Sequence, residues 1–196
     1  MTHITILGPN ISMDMAKPAD TCRVGCRAII ERDDRILFSY LEKRNQYLLP
    51  GGRMEICDTE ISCVARECKE ELGMEVKPYE RVCIIDDCYN DRWFRNIYYS
   101  ATIEKEHLPP AMVEDEIALG LRPVWLRKDG IVDFLLAQTI LPVRLAEGHL
   151  LTVLNSHYRE ICALLTYFGS PLIPIPETLR SSAKRMVVES SETVPS

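Results

Sequence analysis

The 196-residue chain has no Cys-x-x-Cys pair, no apolar run of membrane length and no excess of positive charge. Its eight cysteines, at 22, 26, 57, 63, 68, 83, 88 and 162, are scattered. Without paired spacing a zinc site is poorly supported, and the expected state is reduced thiols in a cytosolic core. Cys22 and Cys26 lie four apart in a segment that reads as a strand, which is not a metal-ligand spacing. The lack of a long apolar stretch excludes a membrane-spanning helix by length. No basic region followed by an apolar stretch opens the sequence, so no signal peptide is expected and the chain reads as cytoplasmic. The net charge of -6 argues against a broad nucleic-acid or membrane surface. A small phosphorylated substrate that arrives with its own metal ions needs no basic protein. There is no internal repeat. At 46% hydrophobic the chain can bury a full core as one domain with an appendage.

What is present centres on Gly51-Gly52-Arg53-Met54-Glu55-Ile56-Cys57-Asp58 and Arg66-Glu67-Cys68-Lys69-Glu70-Glu71-Leu72-Gly73-Met74. Glu67, Glu70 and Glu71 are spaced three and four apart, on one side of a helix. Like charges so placed repel by roughly a few tenths of a kcal/mol per pair, a penalty that a bound cation removes. Carboxylates without His or Cys suit a hard, oxygen-loving ion, Mg²⁺ or Mn²⁺. Asp58 or Thr59 can cap the helix, Gly73 suits a left-handed stop, and Ile61, Val64, Ala65, Cys68 and Leu72 supply a buried face from which the three acids largely diverge. The apolar stretch Tyr47 to Pro50 precedes the glycine pair, so the expected order is strand, glycine loop, capped helix. Such a loop lets backbone N–H groups approach a phosphate. The plain alternative is a solvated acidic face. The glycines, Arg66 and the spacing together favour the sharper reading.

These residues resemble the signature of the Nudix hydrolases: Gly, five residues, Glu, seven residues, Arg-Glu, an aliphatic, any residue, Glu-Glu, any residue, Gly, an aliphatic. Gly52, Arg66, Glu67, Glu70, Glu71, Gly73 and Met74 fit it. Asp58 stands where the family has Glu, an acid that supports the box Arg; being one methylene shorter, it is expected to hold Arg66 weakly or through water. Cys68 replaces an aliphatic, a mild departure because buried Cys behaves as a small hydrophobe. The resemblance implies an α+β fold, a Nudix-type α/β/α sandwich with a mixed sheet, here followed by a C-terminal amphipathic helix. It implies hydrolysis, with Mg²⁺ or Mn²⁺ as cofactor, of a pyrophosphate bond in a nucleoside diphosphate linked to another moiety: a nucleotide sugar, a dinucleoside polyphosphate or a (d)NTP. Glu67, Glu70 and Glu71 would hold the metal, with Arg66 orienting an acid. The base that deprotonates water is, in the family, the acid at Glu67 or a Glu on a later loop. Glu114-Asp115-Glu116 offers Glu114 and Glu116 for the second role, against the plain alternative of a solvated loop. A catalytically silent nucleotide-sensing module on the same fold is the rival from another class.

Substrate contacts are expected from Gly51, Gly52 and Arg53, from Tyr47 before them, and from Tyr89 and Arg92 or Arg95 beyond the box. Trp93, Phe94, Tyr98 and Tyr99 are more simply core. A Tyr near position 89 leans, by the resemblance, toward dinucleoside polyphosphates, and no Pro lies where ADP-ribose would be suggested.

Along the chain, residues 1–21 read as an extension with a short strand through Ile4 to Leu7. Residues 22–140 read as the Nudix domain. Strands are expected at 22–31, 35–41 (a hairpin closed by Asp33-Asp34), 81–87, 97–103 and 121–126, with a helix through 129–139. Residues 141–168 read as an amphipathic helix that either packs on its own domain or forms the seam of a homodimer. Residues 169–196 read as a Pro/Ser-rich extended or disordered tail.

Overall fold

The computed structural model describes residues 2–7, 22–89, 92–140, 147–174 and 186–191, with backbone alone at 89, 92, 139–140, 147–155 and 186–191. The elements are β1 (Thr2–Leu7), β2 (Arg23–Ile29), β3 (Glu31–Arg32), β4 (Arg35–Leu41), β5 (Gln46–Leu48), β6 (Gly51–Arg53), α1 (Glu60–Leu72), β7 (Glu75–Tyr89), β8 (Arg92–Lys105), α2 (Glu114–Leu119), β9 (Leu121–Arg127), α3 (Ile131–Ile140), α4 (Glu147–Tyr167) and β10 (Met186–Ser191). A six-stranded mixed sheet runs β10-β1-β7-β8-β2-β6, with β1 parallel to β7 and β2 parallel to β8. A second, antiparallel sheet joins β3, β4 and β5, with β9 on the free side of β4.

Alternation along the strands sorts side chains into two cores. Ile29, Ile36, Phe38, Ile85 and Tyr98 face the layer formed by α3 and α4. Ala28, Ile30, Leu37, Ile97 and Tyr99 face the layer formed by α1. A period of two in strands and helical stripes on either side give the expected α/β/α sandwich. The β3–β4 hairpin turns on Asp33 and Asp34 at φ 49° and 56°, the left-handed values a two-residue hairpin needs and Asp tolerates.

Several expectations change in detail. The strands at 81–87 and 97–103 are the middles of β7 and β8, whose long antiparallel pairing extends to Glu75 and Lys105. The glycine pair is not a loop but β6, paired with β2 through Cys26↔Gly52 and Arg27↔Gly51. Residues 114–119 form α2, not a loop. The buried face of α1 is Cys63, Val64, Glu67, Cys68 and Leu72. Ile61 is exposed and Glu67 lies on the buried face rather than off it, on the side where α1 packs against β7, β6 and β2.

The C-terminal helix packs on its own domain. Tyr158, Ile161, Cys162, Leu164 and Leu165 of α4 are buried in the first core, and the Tyr158 hydroxyl donates to the Ile173 carbonyl at 2.9 Å. The outer segments are also woven in. β1 lies within residues 1–21 and pairs with β7, and β10, within the stretch read as tail, pairs antiparallel with β1. All eight cysteines are free thiols, and Cys57 alone is exposed.

Candidate active site

The N-terminus of α1 carries the clearest local logic. Thr59 Oγ1 accepts from the Ser62 N–H at 3.1 Å, and Ser62 Oγ accepts from the Thr59 N–H at 2.8 Å, a reciprocal cap. Gly73 closes the helix at φ 63°, where an added Cβ would meet the Leu108 carbonyl oxygen at 2.0 Å. The helix is thereby held at both ends.

Arg66 ties the preceding loop to this helix. Its Nη2 donates to Asp58 Oδ2 at 2.7 Å and to the Arg53 carbonyl at 2.9 Å. Its Nη1 donates to Glu67 Oε1 at 2.9 Å and Glu70 Oε2 at 3.0 Å. The weak or water-mediated Asp58 contact expected from the shorter side chain is therefore corrected. Asp58 reaches Arg66 directly because it also accepts from the Glu55 N–H and Ser62 Oγ, which draw the loop inward. The Arg66 hydrogen bond holds the Asp58 carboxyl below its ordinary range.

Glu67 and Glu71, one turn apart, face a cavity of about 400 Å³ that Glu116 and Asp115 of α2 also line. Burial raises the Glu67 pKa against the pull of Arg66. Burial pushes Glu71 up to about 7, although Ser39 Oγ donates to it at 2.8 Å and Arg27 is near; the charges of Glu67 and Glu116 push the same way as burial. The strand β6 makes room for this arrangement. A Cβ on Gly52 would lie 2.3 to 2.8 Å from the three Glu67 carboxyl atoms, and a Cβ on Gly51, at φ 134°, would lie 2.1 Å from the Cys26 carbonyl oxygen. Here the glycines serve close packing beneath the carboxylate.

The structure divides the sequence-level candidates. Glu67, Glu71, Glu116, Gly51, Gly52 and Arg53 share the cavity. Glu70 turns to Arg66, and Asp115 rather than Glu114 joins Glu116 at the wall. Among the described residues no three His, Cys, Asp or Glu side chains converge closely enough to hold a metal ion as they stand. The donor set is nonetheless all oxygen, and carboxylates whose pKa is raised by burial suit a hard divalent cation.

Tyr47 is not at the site. Period two in β5 sends Gln46 and Leu48 to the cavity side and Tyr47 to the other, against Tyr40, Phe134 and His157. Arg95 is engaged by Asp86, at 2.8 and 2.9 Å. Trp93, Tyr98 and Tyr99 are buried in core clusters. Tyr89 and Arg92 pair at the β7–β8 end; their side chains lie outside the described residues.

A second chamber of about 210 Å³ adjoins the first, sharing Arg23, Arg27, Leu48, Gly52 and Arg53 with it. Phe94, Asn96, Asp87 and, from α4, Ser156 and Arg159 complete its wall. Sequence reasoning assigned no role to Arg23, Arg27 or Arg159. A signal existed in β2, where Arg23-x-Gly25-x-Arg27 puts small or cationic residues on one face of an otherwise apolar strand.

The chain has the Nudix fold. A Nudix hydrolase from Nitrosomonas europaea is similar in structure, with a TM-score of 0.54 at 19% identity over 76% of this chain and 93% of that one. A UDP-X diphosphatase is similar at 0.51 and 17%, over 80% of this chain and 69% of that one. No protein-family model and no curated protein matches the chain. At these identities the likeness speaks for the fold.

Proposed function

We propose that the protein is a divalent-metal-dependent hydrolase of a pyrophosphate bond in a nucleoside diphosphate linked to another moiety. The observation that carries this reading is the shared cavity of Glu67, Glu71 and Glu116, beneath which Gly52 leaves space for the Glu67 carboxylate and beside which stand Arg23, Arg27 and Arg53. Glu67 and Glu71, with Glu70 within reach of the same helix face, would hold Mg²⁺ or Mn²⁺. Such an ion neutralises phosphate oxygens and lowers the pKa of bound water. Arg66 fixes Glu67 and Glu70 through charge-assisted hydrogen bonds and is itself fixed by Asp58. Arg23, Arg27 and Arg53 offer guanidinium donors to the phosphate oxygens. Glu67 and Glu116 are the carboxylates from which a base would be drawn. The two similar structures, a Nudix hydrolase and a UDP-X diphosphatase, support this reaction class.

The rival reading is a silent nucleotide sensor, favoured by Arg66 holding both Glu67 and Glu70 and by the absence of a converged ligand trio among the described residues. One experiment separates them. Nucleotide sugars, dinucleoside polyphosphates and (d)NTPs are incubated with Mg²⁺ or Mn²⁺, and products are resolved by chromatography, with Glu71→Gln as control. Turnover of one class that the variant loses is the expected result. Nucleotide binding without turnover in the unmutated protein would establish the sensor.

A further inference from the structure

We propose that the inner chamber takes a phosphate monoester carried by the substrate beyond its scissile pyrophosphate. The inference rests on the hydrolase reading above for its substrate and shares Arg23, Arg27 and Arg53 with that site, whereas Gln46, Asn96, Ser156 and Arg159 belong to the inner chamber. Four guanidinium groups line the chamber, those of Arg23, Arg27, Arg53 and Arg159. Two buried carboxylates answer them. Glu160 accepts from Arg159 Nη2 at 2.7 Å and lies 3.9 Å from Arg27 Nε, and Asp87, 3% exposed, is part of the wall. Four guanidinium groups around one small space suit a phosphate monoester, which carries roughly two negative charges at neutral pH.

The geometry agrees with the charge. Arg27 is already oriented, with Nε on Asn96 Oδ1 at 3.3 Å and Nη1 on the Leu49 and Gly51 carbonyls at 2.8 and 3.2 Å. Arg159 is held by Glu160 and by Tyr98 Oη, which lies 2.9 Å from its Nε. Arg23 and Arg53 sit at the mouth shared with the carboxylate cavity and are exposed, so an entering anion meets them first. Guanidinium forks pair with phosphate oxygens bidentately. Gln46 lines the same chamber, 4% exposed, its Nε2 on Ser156 Oγ and its Oε1 without a partner among the described residues. That acceptor suits a hydroxyl of the sugar bearing the phosphate. Because α4 supplies Ser156 and Arg159, this helix forms part of the recognition surface.

The test has two arms on the full-length protein. In the first, inorganic phosphate is titrated calorimetrically into metal-free protein and into the double variant Arg23→Gln/Arg53→Gln. One binding site is expected, weakened at least about tenfold in the variant, the fold-change of one charge-assisted hydrogen bond. In the second, kcat/KM is compared for NADPH and NADH, which share the pyrophosphate and differ by a 2′-phosphate. A preference for NADPH of about tenfold or more is expected, collapsing toward one in the variant. Absence of phosphate binding, binding that the variant leaves unchanged, or equal rates on the two dinucleotides in the unmutated protein would each overturn the proposal. Phosphate binding lost in the variant, with no dinucleotide or other pyrophosphate turned over, would uphold the anion site and remove the hydrolase reading instead.

Discussion

Acidification from pH 7 to 4.5 sets two buried groups against each other. His157 is fully buried, its Nε2 accepting from the Tyr47 N–H at 2.9 Å, a role only the neutral ring can fill. Burial, helped by the charge of Arg159, lowers its pKa from 6.5 to about 4. The unfolded chain takes up a proton near 6.5 and the folded one does not, so this contribution is present above that pH and is lost as pH falls toward 4. Glu71 has the opposite sign. Its folded pKa is raised from 4.5 to about 7, so the folded state binds the proton first and gains stability as pH falls through 7 toward 4.5. At about 1.36 kcal/mol per pKa unit each shift is worth roughly 3 kcal/mol, in opposite directions over the same window. Burial raises Glu67 as well, in the sense of Glu71.

The consequence, in the metal-free protein, is two variants whose stabilities diverge from each other as pH falls. His157→Gln keeps an acceptor for the Tyr47 N–H but does not titrate, so it gains most of about 3 kcal/mol relative to the unmutated protein between pH 7 and 4.5. Glu71→Gln loses a similar amount. The assay is urea unfolding followed by circular dichroism in EDTA at half-unit pH steps, compared as differences from the unmutated protein. A His157→Gln difference that is the same at pH 7 and pH 4.5 would refute the reasoning.

Gly52→Ala places a methyl group within 2.8 Å of every Glu67 carboxyl atom; a displacement of about 1 Å at a reacting centre costs roughly 100-fold in kcat, with far-ultraviolet circular dichroism unchanged. Asp58→Ala releases Arg66 from its shortest contact, and Mg²⁺ affinity measured by calorimetry is expected to fall about 10- to 100-fold, the range for partners that orient ligands. Burial pushes Asp86 up, but Arg95 and His3 outweigh it and hold its pKa below 3.8. Its stabilisation is therefore present above that value and lost below it, so Asp86→Asn flattens the acid limb of the unfolding curve between pH 4 and 2.

The parts of this molecule that could be read in one dimension are those whose cause is local. Thr59, Gly73 and the spacing of Glu67, Glu70 and Glu71 act within a few turns of one helix, and so α1 and its acids are legible in the sequence alone. What was not legible depends on neighbours distant in sequence. The glycine pair looks like a phosphate loop until Cys26 and Arg27 pair with it as a strand. Glu70 looks equivalent to its neighbours until Arg66 draws it outward. Tyr47 is one residue from two cavity-lining side chains, and strand alternation alone sends it to the core. The arginine chamber is likewise invisible in the sequence. Its four guanidinium groups come from β2, β6 and α4, elements separated by up to 136 positions between Arg23 and Arg159. The acids lie along a single helix, whereas the cations converge only when β2, β6 and α4 close around one space. A chain that is acidic in sum thus presents a basic chamber to whatever enters beside the carboxylates, which is why net charge excluded a broad anionic partner without excluding a small one.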